Sequence, residues 1–499
     1  MNPVRHYAAR SWRIPLGFLL VASLGGCAFR AGPGYPPLTH SQKEALRERI
    51  DGLVEATDPD VTFGMKAVSL KTGEVFYEKN ATHRFTPASN MKLLTAAAAL
   101  DILGPYFRFR TALYADSAFA RGTPPGNIYL KGAGDPALTD RDLAKMVSDL
   151  ELLEIHAVEG DIIVDATEFD ADLLGPGWMW DQGPEWYAAP VSAMTLNDNC
   201  VAVWIAPGKG VGDPPRVRID PPTGYVSVNV EATTVDEQGA ESPPLKITRR
   251  WKTGENIIDI TGTVWTGTAP ESRLIAVENP PLYAGTVLKE LLLAAGIRFH
   301  GTVRMDTVPS DTVLLTAHGS PPLSETVKDL LKYSDNLTAE LLVKKMGSTA
   351  AGSPGSWPSG LRTVKTFLHD EAGLDTATFV MADGSGFSRY NLLSPDHLVQ
   401  LLEWVHGNFK IFPEFLASLP IGGGDGSLAA RMTAEEVRDR ARAKTGTLQG
   451  ISSLSGYLVT RDNETVAFSI MMNGYIGDSS PYRGLQDDIV SVLTSFSRF

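Results

Sequence analysis

The spacing of apolar and polar residues predicts helices and short strands at the start of the folded chain. Apolar positions at helical spacing indicate a helix over 42–56, and two strand-like runs follow at 61–70 and 74–77. An Ala- and Leu-rich stretch then covers 87–100 and carries no charge after Lys92 until it ends. Because a helix without a polar face has no side suited to water, we predict that this helix lies buried at the centre of a domain.

The pattern changes between about residue 107 and residue 310, where short apolar runs alternate with Gly and Pro. We predict one or two β-rich domains there, with strands at 127–130, 160–164, 201–206, 225–230, 244–251 and 256–264 and a helix at 285–295. Helical patterns return at 323–332, 337–346, 361–371 and 396–405, and strand patterns follow at 440–445, 451–459 and 465–473, before a last helix near 485–496.

The first 26 residues are typical of an export signal. Three arginines and no acid precede an apolar run over 14–24, which is too short for a membrane-spanning helix. The run ends in Leu24-Gly25-Gly26-Cys27, which resembles the bacterial lipoprotein box, and Cys27 is therefore a candidate for lipidation. An ordinary secretory signal with an incidental Cys27 is the alternative, and the protein is exported in either case. Pro and Gly in 27–40 predict a tether.

Composition and charge exclude several classes of function. The 499 residues include 45 basic and 58 acidic side chains, and the formal charge of −13 makes nucleic acid an unexpected partner. Two cysteines rule out a disulfide scaffold, and Cys200 is expected to be a buried apolar residue. The nine histidines show no metal-ligand spacing, so we expect no metal and no cofactor.

Ser89 and Lys92 are the first candidates for chemistry. They lie three residues apart at the start of the predicted buried helix, so both side chains point to one face. A lysine in a dry site has a lowered pKa and can take the proton of a serine nucleophile. The alternative is that Ser89 caps the helix and Lys92 is solvated. An unpaired lysine beside so apolar a helix would be costly, which favours the catalytic interpretation.

Two further motifs follow in the sequence. Ser334 and Asn336 precede a predicted helix, and they offer a proton relay and an amide for a substrate carbonyl. On a predicted strand, an ammonium and a hydroxyl could bind a carboxylate, and a glycine could admit the substrate backbone. These residues are Lys444, Thr445, Gly446 and Thr447.

Each short motif also has copies elsewhere in the chain. Ser-x-Asn recurs at 227–229, where alternating apolar residues favour an ordinary strand. Lys-Thr-Gly recurs at 71–73 and 252–254, and each copy lies between two strand-like runs, as in a hairpin turn. Only the copy at 444–446 follows both other motifs.

The ordered triplet is much more specific than its parts. Together with the longer strings 132–136, 333–340, 383–391 and 424–428, it resembles the D-alanyl-D-alanine carboxypeptidase/endopeptidases of the penicillin-binding protein 4 type. The resemblance extends from about residue 45 to residue 499. Ser427 and Phe387 depart mildly from the family pattern. Ser334 follows Lys92 by 242 positions, far more than the compact helical domain of a β-lactamase occupies between these motifs, and the long interval matches the inserted domains of this type.

The resemblance implies an α+β fold. A β-lactamase/transpeptidase-like catalytic domain, with an antiparallel sheet flanked by helices, would consist of 41–106 and 311–499 and be interrupted by the β-rich insert at 107–310. It also implies a penicillin-binding serine hydrolase that acts on the stem peptides of peptidoglycan without a cofactor.

The roles that the resemblance implies are as follows. Ser89 would be the nucleophile, Lys92 its base and Ser334 the proton relay, while Asn336 would bind the substrate amide. Lys444 and Thr445 would hold the terminal carboxylate, and the backbone N–H groups of Ser89 and Thr447 would form the oxyanion hole.

The expected partners are peptidoglycan stem peptides, β-lactams and a membrane reached through a lipid on Cys27. The expected location is the periplasm, at the outer membrane if the cell has one. A β-lactamase or esterase would use the same triplet, but it has no reason to carry so long an insert. A non-catalytic wall-binding lipoprotein is the other alternative, and the intact triplet argues against it.

Overall fold

The computed structural model describes residues 35–116, 119–237, 242–352 and 354–499. Within them, the helices α1 to α10 span His40–Thr57, Met91–Ile102, Asp140–Leu152, Pro280–Ala294, Leu323–Tyr333, Asn336–Ala351, Trp357–Asp370, Pro395–Gly407, Phe412–Ser418 and Ser480–Ser495. The strands β1 to β10 span Thr62–Ser69, Val75–Lys79, Arg110–Ala115, Ile128–Lys131, Ala157–Val158, Ile162–Asp165, Cys200–Ala206, Arg216–Asp220, Ser227–Val230 and Thr233–Val235. The strands β11 to β20 span Lys246–Arg249, Ile257–Thr261, Thr263–Trp265, Glu271–Ala276, Arg298–Phe299, Val303–Met305, Val313–Gly319, Ala441–Leu448, Ile451–Val459 and Thr465–Asn473.

The predicted signal peptide, Cys27 and the tether as far as residue 34 lie outside the described residues. Near the end of the predicted tether the chain already joins the fold, because the buried Leu38 donates its N–H to Glu74. Thr39 then caps α1, and its hydroxyl accepts from the Gln42 N–H. No helix within the described ranges is both long enough and apolar enough to cross a bilayer.

A five-stranded antiparallel sheet carries the last of the three motifs. Its strand order is β18-β19-β20-β1-β2, so the C-terminal hairpins pair with the first strand of the folded chain. Helices α1 and α10 share an apolar core with this sheet, and α8 packs against β1 and β20. The sheet and its helices confirm the predicted α+β class.

Helix α2 lies at the centre of the helical part of the molecule. Every residue from Met91 to Leu100 is buried, as the absence of a polar face predicts. Helices α5 to α8 surround it and complete one large apolar core. This packing places the start of α2 between the sheet and the helical layer.

The middle of the chain forms a second five-stranded sheet, with the order β16-β6-β4-β3-β17, and several smaller sheets. The strand β17 pairs with β3 although it follows the predicted boundary at residue 310. The buried side chain of Cys200 agrees with the prediction of an apolar role.

The prediction of a single helix for this middle region is wrong, because α3 is a second one. Its Leu143, Met146, Val147 and Leu150 are buried at helical spacing, and Thr139 caps it. The apolar period was therefore present in the sequence, inside a region assigned to strands.

Candidate active site

The candidate nucleophile sits in a tight turn that ends the approach to α2. Ser89 is the middle residue of a 3₁₀ turn, Ala88–Asn90, and Asn90 rather than Ser89 takes the N-cap position of α2. Ala88 has a φ of +47°, a strained left-handed conformation for a residue with a side chain. Gly386 makes the turn possible, because a Cβ at that position would collide with the Ala88 carbonyl oxygen.

Lys92 is fully buried and directed at the candidate nucleophile. Its Nζ lies 3.0 Å from Ser89 Oγ, and it also donates to Asn336 Oδ1 at 2.6 Å and to the Ser385 carbonyl at 2.8 Å. Burial lowers the pKa of Lys92 to about 8, although the nearby carboxylates, Asp383 foremost, raise it. The Lys92 amine thus lies within hydrogen-bond distance of the Ser89 hydroxyl and has a pKa closer to neutral pH than that of a solvated lysine.

Ser334 and Asn336 reach the same site from the junction of α5 and α6. Ser334 ends α5 in a left-handed conformation with φ +63°, and Asp335 caps α6 by accepting from two backbone N–H groups. The sharp turn sends Ser334 Oγ towards Lys444, whose Nζ lies 2.9 Å away. Asn336 accepts from Lys92, and its Nδ2 donates to the Tyr187 carbonyl.

Lys444 is the second fully buried lysine of the site. It lies on β18 and donates to Ser334 Oγ and to the Thr445 carbonyl. Burial, together with repulsion from Lys92, lowers the pKa of Lys444 well below its ordinary value. The next side chain, Thr445, is half-buried and donates to Ser427 Oγ at 2.8 Å.

Gly446 lies where strand β18 comes close to the turn that holds Ser89. A Cβ there would collide with Ser453 Oγ and lie 2.8 Å from the Pro87 carbonyl oxygen and 3.0 Å from the Ser89 nitrogen. The missing side chain therefore lets β18 pack against the Ser89 turn. It also brings the exposed Thr447 to the same end of the site. The approach of a substrate backbone at Gly446 stays a prediction.

The other copies of the short motifs lie in ordinary structure. Gly73 has a φ of +73° in the turn between β1 and β2, and Gly254 has a φ of +69° between β11 and β12. Ser227 and Asn229 belong to the strand β9. Their interpretation as hairpin turns and a strand is confirmed.

A model of the D-Ala-D-Ala carboxypeptidase 3 (S13) family matches residues 46–495 of the sequence. The chain belongs to this family. A D-alanyl-D-alanine carboxypeptidase of Actinomadura sp. (strain R39) is 34% identical, over 94% of this chain and 88% of that protein. The D-alanyl-D-alanine carboxypeptidase DacB of Haemophilus influenzae is 28% identical, over 85% of this chain and 88% of that protein.

The solved structures extend the family match to the fold. The crystal structure of penicillin binding protein 4 (dacB) from Haemophilus influenzae superimposes with a TM-score of 0.79 at 26% identity, and covers 90% of this chain and 99% of that one. The resemblance to the penicillin-binding protein 4 type is thereby confirmed. This member of the S13 family is a hydrolase, a D-Ala-D-Ala carboxypeptidase.

Two buried carboxylates of this S13 enzyme were not singled out from the sequence. Glu340 accepts from the N–H groups of Gly384 and Ser385 and from Trp357 Nε1, and burial raises its pKa to about 7. Asp383 accepts from further N–H groups of the same loop, those of Gly386 and Ser388 among them. Both residues lie in sequence segments that carried the family resemblance. Only the folded structure reveals that they fix the loop whose Ser385 carbonyl accepts from Lys92.

An aromatic wall from the middle of the chain also escaped the sequence reasoning. Trp178 donates to Asp383 Oδ2 at 3.0 Å, and Trp178 and Tyr187 both pack against Phe387, with ring centroids 5.1 and 5.6 Å away. The unusual density of aromatic residues over 178–187 was the available signal. This segment closes one side of the site.

Proposed function

We propose that this enzyme cleaves peptidoglycan stem peptides through a covalent intermediate on Ser89, and that penicillin acylates the same serine. The observation that carries the proposal is the fully buried Lys92 amine, 3.0 Å from Ser89 Oγ and with a pKa lowered to about 8. A serine hydroxyl is a weak nucleophile unless a base lies beside it, and the position of the Lys92 amine supports that role. The crystal structure of the Haemophilus influenzae protein complexed with a β-lactam is 25% identical and has a TM-score of 0.75, which supports penicillin binding here.

In the proposed reaction, Lys92 takes the proton of Ser89 as Oγ bonds to the carbonyl carbon between the last two D-alanines. The tetrahedral intermediate collapses as the C–N bond breaks. Ser334 then passes a proton from the two buried lysines, Lys92 and Lys444, to the leaving amine. The Lys444–Ser334 contact of 2.9 Å supports this relay. Water then adds to the acyl-enzyme ester, and Ser89 leaves with its proton restored.

The oxyanion is proposed to bind to the backbone N–H groups of Ser89 and Thr447. The close approach of β18 at Gly446, where a Cβ would lie 3.0 Å from the Ser89 nitrogen, supports this pairing. In the amide orientation that satisfies both of its polar atoms, Asn90 donates to the Lys444 carbonyl at 2.7 Å, which links the Ser89 turn to β18. Such donors, fixed before the reaction, stabilise a developing negative charge at little further cost.

Substrate recognition is proposed to use the rest of the triplet. Lys444 and Thr445 would bind the terminal carboxylate as ammonium and hydroxyl donors, and Asn336 would bind the substrate amide. The same steps with a cross-bridge amine as leaving group would give endopeptidase activity. Cross-linked muropeptides incubated with the enzyme would then yield monomers, whereas intact dimers shortened only by D-alanine would exclude it.

Labelling with a fluorescent penicillin tests the nucleophile. We expect Ser89→Ala to abolish covalent labelling because no acyl ester can form without the hydroxyl. Ser227→Ala, in the strand copy of the second motif, is the matched control and should label normally. Labelling that persists in folded Ser89→Ala would refute the assignment.

We propose further that Cys27 is lipidated and that the exported enzyme is held at a membrane facing the periplasm. The lipoprotein-like string before Cys27 supports this proposal. Wild-type protein should fractionate with membranes, and Cys27→Ser should release it or block its processing. Recovery of wild-type protein wholly in the soluble exported fraction would contradict lipidation.

A further inference from the structure

The segment that walls the site also carries exposed aromatic side chains. Trp180 is 73% exposed and Trp186 is 40% exposed. The Trp180 ring lies 5.8 Å from that of Trp251, centroid to centroid, and Lys252 Nζ is 5.5 Å from both rings. We call Trp180 and Trp251 the tryptophan platform. Large apolar side chains grouped at a surface are typical of binding sites.

The backbone holds this platform in place. A Cβ at Gly183 would lie 2.9 Å from Trp251 Nε1, so the absence of a side chain lets the loop press against that ring. Trp251 itself begins the turn that contains Lys252 and Gly254, the third Lys-Thr-Gly copy. That copy therefore carries one of the two rings of the platform.

The platform is continuous with the candidate active site. Trp178, two residues before Trp180, donates to Asp383 in the loop that holds Lys92. Tyr187, near the other end of the same segment, accepts from Asn336 through its backbone carbonyl. Two residues span at most about 7 Å, and the roughly four stem-peptide residues between the cleaved bond and the sugar span at most about 14 Å when extended. The sugar that carries the stem peptide can therefore reach the platform.

We propose that the tryptophan platform binds the saccharide of the glycan strand to which the stem peptide is attached. The proposal rests on the proposed function, in which Ser89 acts on that stem peptide. A pyranose ring has an apolar C–H face and a polar edge, and an exposed indole offers the matching apolar face. Asp181, Gln182 and Glu185 lie in the same loop and supply acceptors for hydroxyl and acetamido groups.

A lipid surface is the other ligand that tryptophan and lysine suit. The position beside the cleft favours the saccharide, because a membrane seated there would cover the entrance through which the peptide must enter.

A pair of substrates tests the proposal: a pentapeptide alone, and the same pentapeptide on its N-acetylglucosaminyl-N-acetylmuramyl disaccharide. Wild type should have the lower KM for the disaccharide form. Trp180→Ala should raise that KM about threefold to tenfold. It should leave kcat/KM for the free pentapeptide unchanged, and Trp180→Tyr should recover most of the difference. Phe409→Ala removes another exposed aromatic side chain, which is 92% accessible, and should leave KM and kcat/KM unchanged for both substrates.

The outcomes separate the two proposals. If wild type hydrolyses neither peptide, the proposed function fails and the platform proposal fails with it. If wild type hydrolyses both but Trp180→Ala changes neither, or slows both equally, the proposed function stands and saccharide binding is overturned. Binding to phosphatidylglycerol vesicles that is lost in Trp180→Ala, with an unchanged substrate ratio, would also overturn it in favour of a membrane contact.

Discussion

Replacing Lys92 with arginine separates a general base from a fixed positive charge. Burial lowers the pKa of Lys92 to about 8. At pH 7 about a tenth of the amine is then neutral, against roughly 0.03% at an ordinary lysine pKa near 10.5. The folded site therefore makes the base about 300 times more available at that pH. An arginine at this position would keep the charge but stay protonated at every accessible pH.

The sign of the pH dependence follows from the direction of the shift. In the proposed mechanism the neutral Lys92 amine is the reactive form, and its fraction rises with pH through the lowered pKa of about 8. Acylation by a chromogenic β-lactam should increase about tenfold per pH unit between about pH 5 and 7 and level off above about pH 9. Lys92→Arg should be slower by at least about a hundredfold at the plateau.

Single-turnover acylation rates, measured across that pH range for both proteins, would decide the question. Circular dichroism at each pH would verify that both proteins stay folded. A wild-type rate that is flat with pH, with Lys92→Arg close to it, would rule out the lysine as general base.

Two further substitutions test other parts of the site, each with controls from the same chain. Lys444→Ala should lose penicillin labelling because it removes the lysine that contacts Ser334, the proposed proton relay. Lys71→Ala and Lys252→Ala lie in hairpin turns and should label normally. Loss of labelling in either folded hairpin variant would contradict the choice of Lys444 among the three Lys-Thr-Gly copies. Gly446→Ala should slow acylation by at least about tenfold, because its Cβ would displace the turn that holds Ser89. In the control Gly52→Ala the new Cβ meets open space on α1, so this variant should be as active as wild type and slightly more stable. An unaffected acylation rate in Gly446→Ala would show that β18 does not position Ser89.

The parts of the site that the sequence predicted are those set by local spacing. Ser89 and Lys92 share one helix start, so a three-residue interval was enough to bring them together. The buried α2 followed in the same way from its lack of a polar face. The meeting of Lys444 with Ser334, 110 residues apart, was implied only by the family resemblance, because no local rule determines which strand passes which turn.

The missed residues depend on long-range packing. Glu340 and Tyr187 belong to the site only through the loop at 383–391: Glu340 accepts from the Ser385 N–H, and the Tyr187 ring packs against Phe387. Gly446 was predicted as a site residue, but its packing against the Ser89 turn was not foreseen. Such close backbone approaches leave no periodic signal, and a glycine in a strand predicts a close approach without saying to what.

The two buried lysines differ in their electrostatic surroundings, and the difference fits a division of roles. Asp383, Asp335 and Glu340 partly offset the burial of Lys92, whereas repulsion from Lys92 adds to the burial of Lys444. A substrate carboxylate bound at Lys444 would favour the ammonium form there and raise its pKa. On the proposed roles, a peptide without a free terminal carboxylate would lose this ion pair.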